Sequence, residues 1–351
     1  MARRVTIEDV ARESNASVST VSLVLRNKPG IGAETRRRVL ETAQALGYRR
    51  QSPAPVTAPG TRNIGLILRA RARSRDVGPS VVNAFYSWVV SGIDAAAQQA
   101  RLNLLYASLP VDDDNRLLDL PRHLLDQALD GVLLVGAFTD EAIAELAGVQ
   151  ARPVVLVDAP ARLHRYDAVV SDNEGGAYTA VAHLIAQGHR RIALAGPGST
   201  ADPNFNERRE GYRRALREHG LASYSLAQGE TPDAAADNAA AAMLRQHPEV
   251  TAIFGCNDTF ALSALRALRL LGRRVPEDVS VIGFDDIERS GQTTPPLTTM
   301  AVDKVSMGRL AVQMLLFRLT WPDAAPTMTM LQPRLVERQS VRPPAATPPQ
   351  N

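Results

Sequence analysis

Short, largely apolar runs recur along most of this chain, and amphipathic stretches separate them. The runs fall at 64–68, 102–106, 131–135, 154–157, 191–195, 252–254 and 279–282, and a helix is expected over 85–100. A strand that is apolar at every position has to be buried on both faces. Such strands, alternating with helices, predict parallel sheets covered by helices on each side. The span 63–340 has room for two lobes of this kind.

The first fifty residues follow a different period. Thr6 can cap a helix, with Asp9 at the reciprocal position of a capping box. Ile7, Val10 and Ala11 then fall on one helical face. After a break at 14–16, Ser17 can cap a second helix over 18–25, with Val21 and Leu25 on one face and Val18, Ser19, Ser22, Leu23 and Arg26 elsewhere. A third helix is expected over 33–46, with Val39, Ala43 and Leu46 inward and Gly47 as its stop. Two short helices on a tight turn, braced by a third, make a helix-turn-helix, whose second helix lies in the major groove of DNA. Charge agrees: residues 1–50 carry +5 and the remaining 301 carry −2, the footprint of a phosphate-binding module. A three-helix interaction module without DNA is the alternative on these residues alone.

Thr6-Ile7-Glu8-Asp9-Val10-Ala11, Val18-Ser19-Thr20-Val21-Ser22, Thr35-Arg36 and Leu46-Gly47-Tyr48 resemble the lac-repressor (LacI/GalR) family of bacterial transcriptional regulators. The resemblance continues through Asn83-Ala84-Phe85-Tyr86, Asp172-Asn173-Glu174-Gly175, Arg208-Arg209-Glu210-Gly211-Tyr212, Cys256-Asn257-Asp258, Gly283-Phe284-Asp285-Asp286 and Pro296-Leu297-Thr298-Thr299. It implies an N-terminal all-α helix-turn-helix domain and an α/β periplasmic-binding-protein-like sensor of two parallel-sheet lobes. It also implies a repressor that binds a pseudo-palindromic double-stranded operator as a homodimer. A small-molecule effector between the lobes, a sugar or sugar derivative, would control that binding.

By position, the resemblance puts base reading on Val18, Ser19 and Leu23. Thr20, Ser22, Asn27 and nearby arginines would hold phosphates, and Thr6, Arg36 and Tyr48 complete the DNA-binding set. In the cleft, Phe85 would wall the effector and Arg208 would offer a planar fork to paired oxygens. Asn257 and Asp285 would bond hydroxyls or amides, and Asp158 would contribute from the lobe junction. Each also has a plainer reading: Phe85 as core, Asp158 and Asp285 as caps or ties at chain crossings, Arg208 as a structural ion pair. The crossings between lobes are expected near Asp158, Asp285 and Thr298-Thr299. Cys256 reads as a small buried residue.

The chain departs from the family pattern in several places. Val18 and Leu23 are apolar where long polar side chains are frequent, which favours contact with thymine methyl groups. The stretch 51–62 holds Pro53, Pro55, Pro59 and Gly60. Proline inside a helix costs about 3 kcal/mol, so an extended linker is expected there rather than a hinge helix. Arg69, Arg71, Arg73 and Arg75 are either a solvated loop or a selector for an anionic effector. The expected domains are 1–50, the linker 51–62, the sensor 63–340 and a disordered tail 341–351. The tail has no apolar heptads, so no tetramer is expected through it.

Several classes are excluded. The six histidines are scattered, no metal-ligand spacing occurs, and neither a nucleophile elbow nor a phosphate loop is present. His183, His189 and His219 read as surface or capping residues. No catalytic residue, cofactor or metal is expected. Without an apolar run of 18 residues or an export signal, the expectation is no membrane partner and a cytoplasmic, nucleoid-associated protein.

Overall fold

The computed structural model describes residues 7–25, 31–46, 61–71, 84–112, 116–118, 129–150, 152–160, 165–198, 202–227 and 234–345. Its contacts divide the chain into two units, Met1–Ala58 and Pro59–Asn351.

The first unit holds α1 (Ile7–Glu13), α2 (Val18–Leu25) and α3 (Ala33–Ala45). Val10, Ala11, Val21, Val24, Val39 and Ala43 form its core, with Leu46 partly buried against it; Val24 was not among the expected inward residues, and the side chains of Ile7 and Leu25 lie outside the described part. The Ser17 hydroxyl accepts from the Thr20 backbone N–H at 3.1 Å and caps α2. In the turn between α1 and α2, Asn15 takes a φ of 47°, a region asparagine tolerates better than most residues. Arg38 Nε donates to the Ser14 carbonyl at 3.0 Å and ties that turn to α3. Thr6, Asn27, Tyr48 and the linker residues 51–60 lie outside the described residues.

In the second unit the first lobe starts with β1 (Asn63–Arg71), α4 (Ala84–Gln99), β2 (Asn103–Val111), β3 (Gly131–Val135), α5 (Asp140–Gln150), β4 (Val154–Val157) and β5 (Asp167–Ser171). The second lobe follows with α6 (Asn173–Ala186), β6 (Ile192–Gly196), α7 (Pro203–Glu218), β7 (Tyr224–Ala227), α8 (Ala234–Gln246), β8 (Ala252–Gly255), α9 (Asp258–Leu270), β9 (Ser280–Asp285), α10 (Glu288–Gly291) and β10 (Thr298–Ala301). The chain then returns to the first lobe for α11 (Lys304–Thr320) and β11 (Met328–Leu331), and ends in the second with β12 (Arg334–Val336). The strand orders are β11-β5-β4-β3-β1-β2 and β12-β10-β9-β8-β6-β7. Pairing is parallel except between β10 and β12. Strands β3, β4, β6, β8 and β9 are buried at every position, as their apolar runs require.

Of the expected lobe crossings, the one near Thr298-Thr299 agrees with a change of sheet just after β10, and the other two differ. Asp158 leads from β4 to β5 and Asp285 leads from β9 towards β10, each within one sheet. The chain changes sheet between β5 and α6, between β10 and α11, and between β11 and β12. The misplacement comes from β5. It opens on a charged residue, so it does not read as a buried run. Asp167 is nevertheless buried, because Arg318 of α11 donates to it twice, at 2.8 and 3.0 Å.

Helices α4 and α11 meet backbone to backbone. A Cβ on Gly92 would stand 2.2 Å from the Val305 carbonyl oxygen, and one on Gly308 would stand 2.1 Å from that of Val89. The returning segment α11 is thereby locked onto the first lobe. The tail also differs from expectation over 341–345. Arg342 N–H donates to Ser280 Oγ at 3.1 Å and Arg342 Nη2 to the Glu277 carbonyl at 2.8 Å. His189 is a core tie rather than a surface group. It is buried, with Nδ1 3.0 Å from Thr251 Oγ1 and Nε2 2.9 Å from the Arg342 carbonyl. Burial lowers its pKa. Among the described residues no helix is long and apolar enough to cross a membrane.

Candidate functional site

In open parallel sheets, ligands bind beyond the carboxyl ends of the strands, where loops can present polar groups without burying unpaired backbone. Arg69 near the end of β1, Asp158 after β4 and Asp285 at the end of β9 stand there. Asp158 and Asp285 take φ values of 57° and 105°. Non-glycine residues in that region store strain, and such residues cluster at functional sites. Gly136, at a φ of 93°, follows β3, and a Cβ on it would come within 3.3 Å of the Tyr86 hydroxyl. A side chain there would crowd that hydroxyl and strain the backbone at this φ.

Arg208, on α7, organises the second-lobe side. Its Nε donates to Asn173 Oδ1 at 2.8 Å and its Nη1 to the Cys256 carbonyl at 2.8 Å. Nη2 lies 3.0 Å from Asp285 Oδ1, in ion-pair range but off the hydrogen-bond line, since that oxygen has no hydrogen-bond donor. The guanidinium carbon sits 3.9 Å from the centroid of the Phe284 ring, a cation–π contact. Asn173 Nδ2 in turn donates to Asn204 Oδ1 and Glu207 Oε2.

Three contacts cross between the lobes. Arg69 Nη2 pairs with Asp202 Oδ2 at 3.2 Å. Asn204 Nδ2 donates to the Asp158 carbonyl at 2.9 Å. Lys304 Nζ, at the start of α11, donates to the Asp285 and Asp286 carbonyls at 2.5 and 3.0 Å. On the first-lobe side the Tyr86 hydroxyl donates to Asp158 Oδ2 at 2.9 Å, while Asp158 Oδ1 is buried without a hydrogen-bond partner.

Burial sets the electrostatics. It pushes the Asp158 carboxyl up to about 7, with Asp285 adding to the rise against the pull of Arg208 and the Tyr86 hydrogen bond. The Asp285 carboxyl is also raised by burial, against Arg208 and Lys304. Burial works against the charge of Arg208, yet Asp285 and Asp158 hold its pKa above the usual value. The Cys256 thiol, buried beside this cluster, is pushed up to about 12. A thiol so protonated is not a nucleophile. The cluster is a set of buried polar groups held mostly by one another.

The structure brings Asp158, Arg208 and Asp285 together and treats the other two expected residues differently. Phe85 belongs to the buried core and meets the Tyr86 ring edge to face at 5.3 Å, with Lys304 Nζ 5.9 Å from its own centroid. Asn257 is the N-cap of α9, its Oδ1 accepting from the Phe260 N–H at 3.0 Å, so that oxygen is committed to the helix. The neighbouring Asp258 was passed over. It is fully buried and accepts from the Ile287 N–H, Ser290 Oγ and Thr299 Oγ1, pinning the loop after β9. Tyr86, Asn173, Asp202, Asn204 and Lys304 also stand in this cluster and carried no such expectation. Lys304 had a signal: it is one of two lysines among 40 basic residues, where a compact point charge suits a cage of carbonyl oxygens better than a guanidinium. Arg69 is therefore part of a cross-lobe ion pair rather than of a solvated loop, while Arg73 and Arg75 lie outside the described residues. Among the described residues no His, Cys, Asp and Glu grouping could hold a metal ion.

On the first unit, Val18 opens α2 and is 44% exposed. Thr20 is half-buried, and its hydroxyl lies 2.8 Å from that of the capping Ser17. Ser19, Ser22 and Leu23 lie on α2 with side chains outside the described part, and the half-buried Arg36 lies on α3. The three helices make a tri-helical unit whose second helix carries an apolar, exposed N-terminal residue.

A helix-turn-helix unit followed by a two-lobed α/β unit with a buried polar junction defines a ligand-responsive DNA-binding regulator. Residues 6–51 match the bacterial regulatory proteins of the lacI family, and residues 181–341 match a periplasmic binding protein-like domain. The chain is 31% identical to catabolite control protein A of Priestia megaterium over 344 residues, 96% of this chain and 99% of that one. It is 30% identical to the ribose operon repressor of Haemophilus influenzae over 340 residues, 96% and 98% of the two chains. Among solved structures, the transcriptional regulator CelR in complex with cellobiose superposes with a TM-score of 0.67 at 28% identity, covering 96% of this chain and 100% of that one. The chain belongs to the lacI family of bacterial regulatory proteins, and it is a transcriptional regulator rather than an enzyme.

Proposed function

We propose that this regulator is a homodimeric repressor that binds a pseudo-palindromic operator, and that a sugar or sugar derivative in the lobe junction controls its affinity for DNA. One observation carries the effector class. Asp158 Oδ1, on the first lobe, is a buried acceptor without a hydrogen-bond donor, and Asp285 Oδ1, on the second, has only its ion pair with Arg208. A buried acceptor left unmade costs about 1–3 kcal/mol. A polyhydroxylated ligand supplies two donors in one rigid body and would satisfy both lobes at once. Arg208 holds Asp285 by an ion pair, and its charge also acts on Asp158. Phe85 backs the site from the core, and the Asn257 amide closes its second-lobe edge. The names of the ribose operon repressor and of the cellobiose complex point to the same class for those proteins.

On DNA, α2 would enter the major groove. Val18 and Leu23 would read thymine methyl groups, and Ser19 would offer the one hydroxyl among the base readers. Thr6, Thr20, Ser22, Asn27, Arg36 and Tyr48 would fix register on phosphates. A homodimer places two such helices on half-sites one turn apart. The protein would work in the cytoplasm, on the nucleoid. The linker 51–62 would couple the units as an extended segment.

The test is a thermal-shift screen of sugars, sugar acids and nucleosides, followed by fluorescence anisotropy on operator DNA. A sugar that raises the melting temperature should also change DNA affinity, because only differential binding to two states shifts an equilibrium. A nucleoside acting where no sugar does, or a stabilising sugar without effect on DNA binding, would refute the reading.

A further inference from the structure

The second lobe carries another concave surface that shares no residue with the junction. It is a groove of about 600 Å³ between the end of α9, the turn after it, and the segment from α10 to Pro295. Leu262 and Leu265 contribute apolar surface, and five arginines line it against a single carboxylate, that of Glu277.

Two of the arginines are answered internally. Arg266 grips Asp237 with two hydrogen bonds, at 2.5 and 3.0 Å, and Arg274 holds Asp278 at 3.0 Å. The other three have no carboxylate partner among the described residues. Among the described residues no carboxylate bonds Arg269 or Arg289, and both are exposed. Arg273 gives Nη2 to the Val250 carbonyl at 2.8 Å, while its Nη1 is buried with no hydrogen-bond partner. Burial lowers the Arg273 pKa, and the field of Asp278 opposes it only in part.

A buried guanidinium N–H without an acceptor is a group awaiting one. Guanidinium forks match the paired oxygens of phosphate groups. Two exposed forks and a third with one nitrogen lacking an acceptor suit a dianion with three terminal oxygens better than a carboxylate with two. The leucine surface beside them suits an apolar body. We propose that this groove binds a small phosphate monoester with an apolar body, a second ligand site independent of the lobe junction.

The test is isothermal titration calorimetry on the full chain with phenyl phosphate, inorganic phosphate and phenol. Because the basic first unit also attracts phosphates, the decisive comparison is with the double variant Arg269→Gln/Arg289→Gln. That variant leaves the first unit and the junction unaltered. The expected result is phenyl phosphate binding that weakens at least tenfold in the variant, with an unchanged melting temperature in the absence of ligand. Inorganic phosphate should bind more weakly than phenyl phosphate, since it leaves the leucines uncovered. Equal affinity in wild type and variant would overturn the site. So would phenol binding as tightly as phenyl phosphate, because the groove would then be apolar and not anion-selective.

Discussion

The two units of this chain hold together by different kinds of contact. The first packs six side chains between Val10 and Ala43, all from three successive helices. The second hangs its junction on pairs far apart in sequence, such as Arg69 with Asp202, 133 positions away, and Arg208 with Asn173 and Cys256. The first kind of contact is local and apolar, so many substitutions weaken it gradually. The second is buried and charged, so removal of one member strands the others.

The contrast is sharpest at Arg208. Replacing it by methionine leaves Asp285, Asn173 and the Cys256 carbonyl without their partner. Breaking a buried pair of this kind costs about 3–5 kcal/mol. Both tryptophans, Trp88 and Trp321, belong to the second unit, so urea unfolding followed by tryptophan fluorescence reports that unit. A loss under about 1 kcal/mol would dissolve the distinction between the two units.

Next in size is the response of Asp158 to pH. Its carboxyl is pushed from 3.8 up to about 7 on folding, chiefly by burial. Below roughly pH 4 both states hold the proton and this group costs nothing. As pH rises towards 7 the unfolded chain ionises first, so stability falls by on the order of a few kcal/mol, and above 7 the loss is complete. Asp158→Asn abolishes that loss. The melting temperature of the variant minus that of the wild type should therefore be larger at pH 8 than at pH 5. A difference that is the same at both values would show that Asp158 ionises freely in the folded protein.

Val39→Ala probes the other side of the comparison. Val39 is fully buried in the small first core, and removing its two methyl groups should cost about 2 kcal/mol. DNA affinity should drop while tryptophan-monitored unfolding stays where it was. A shift of both would mean that the units are not separate in their stability. The smallest effect belongs to Ser17→Ala, which removes the cap of α2 at a cost of about 1 kcal/mol. Anisotropy on operator DNA should show a modest weakening, and Ser17→Asp, another good cap, should recover the fold of α2 measured by circular dichroism.

Much of this architecture was legible before any coordinates. The buried strands announced themselves as apolar runs, because a strand covered on both faces has no use for polar residues. Strand β5 escaped because its first residue, Asp167, is a buried charge whose partner, Arg318, sits 151 positions later. The same blindness hid Lys304, Tyr86 and Asp202. Asn257 has a second role that its place after a strand did not announce: its oxygen caps the first turn of α9.

The sequence by itself determined the three N-terminal helices and the runs that became strands, because apolar periodicity is a local property. Asp158, Arg208 and Asp285 were marked by what the resemblance to a known family implies. Only the tertiary structure decided which charges face one another across the lobes, where the chain changes sheet, and that one carboxylate oxygen of Asp158 is buried without a hydrogen-bond donor. A buried charge is tolerated only against its partner, and sheet topology, not spacing along the chain, selects that partner.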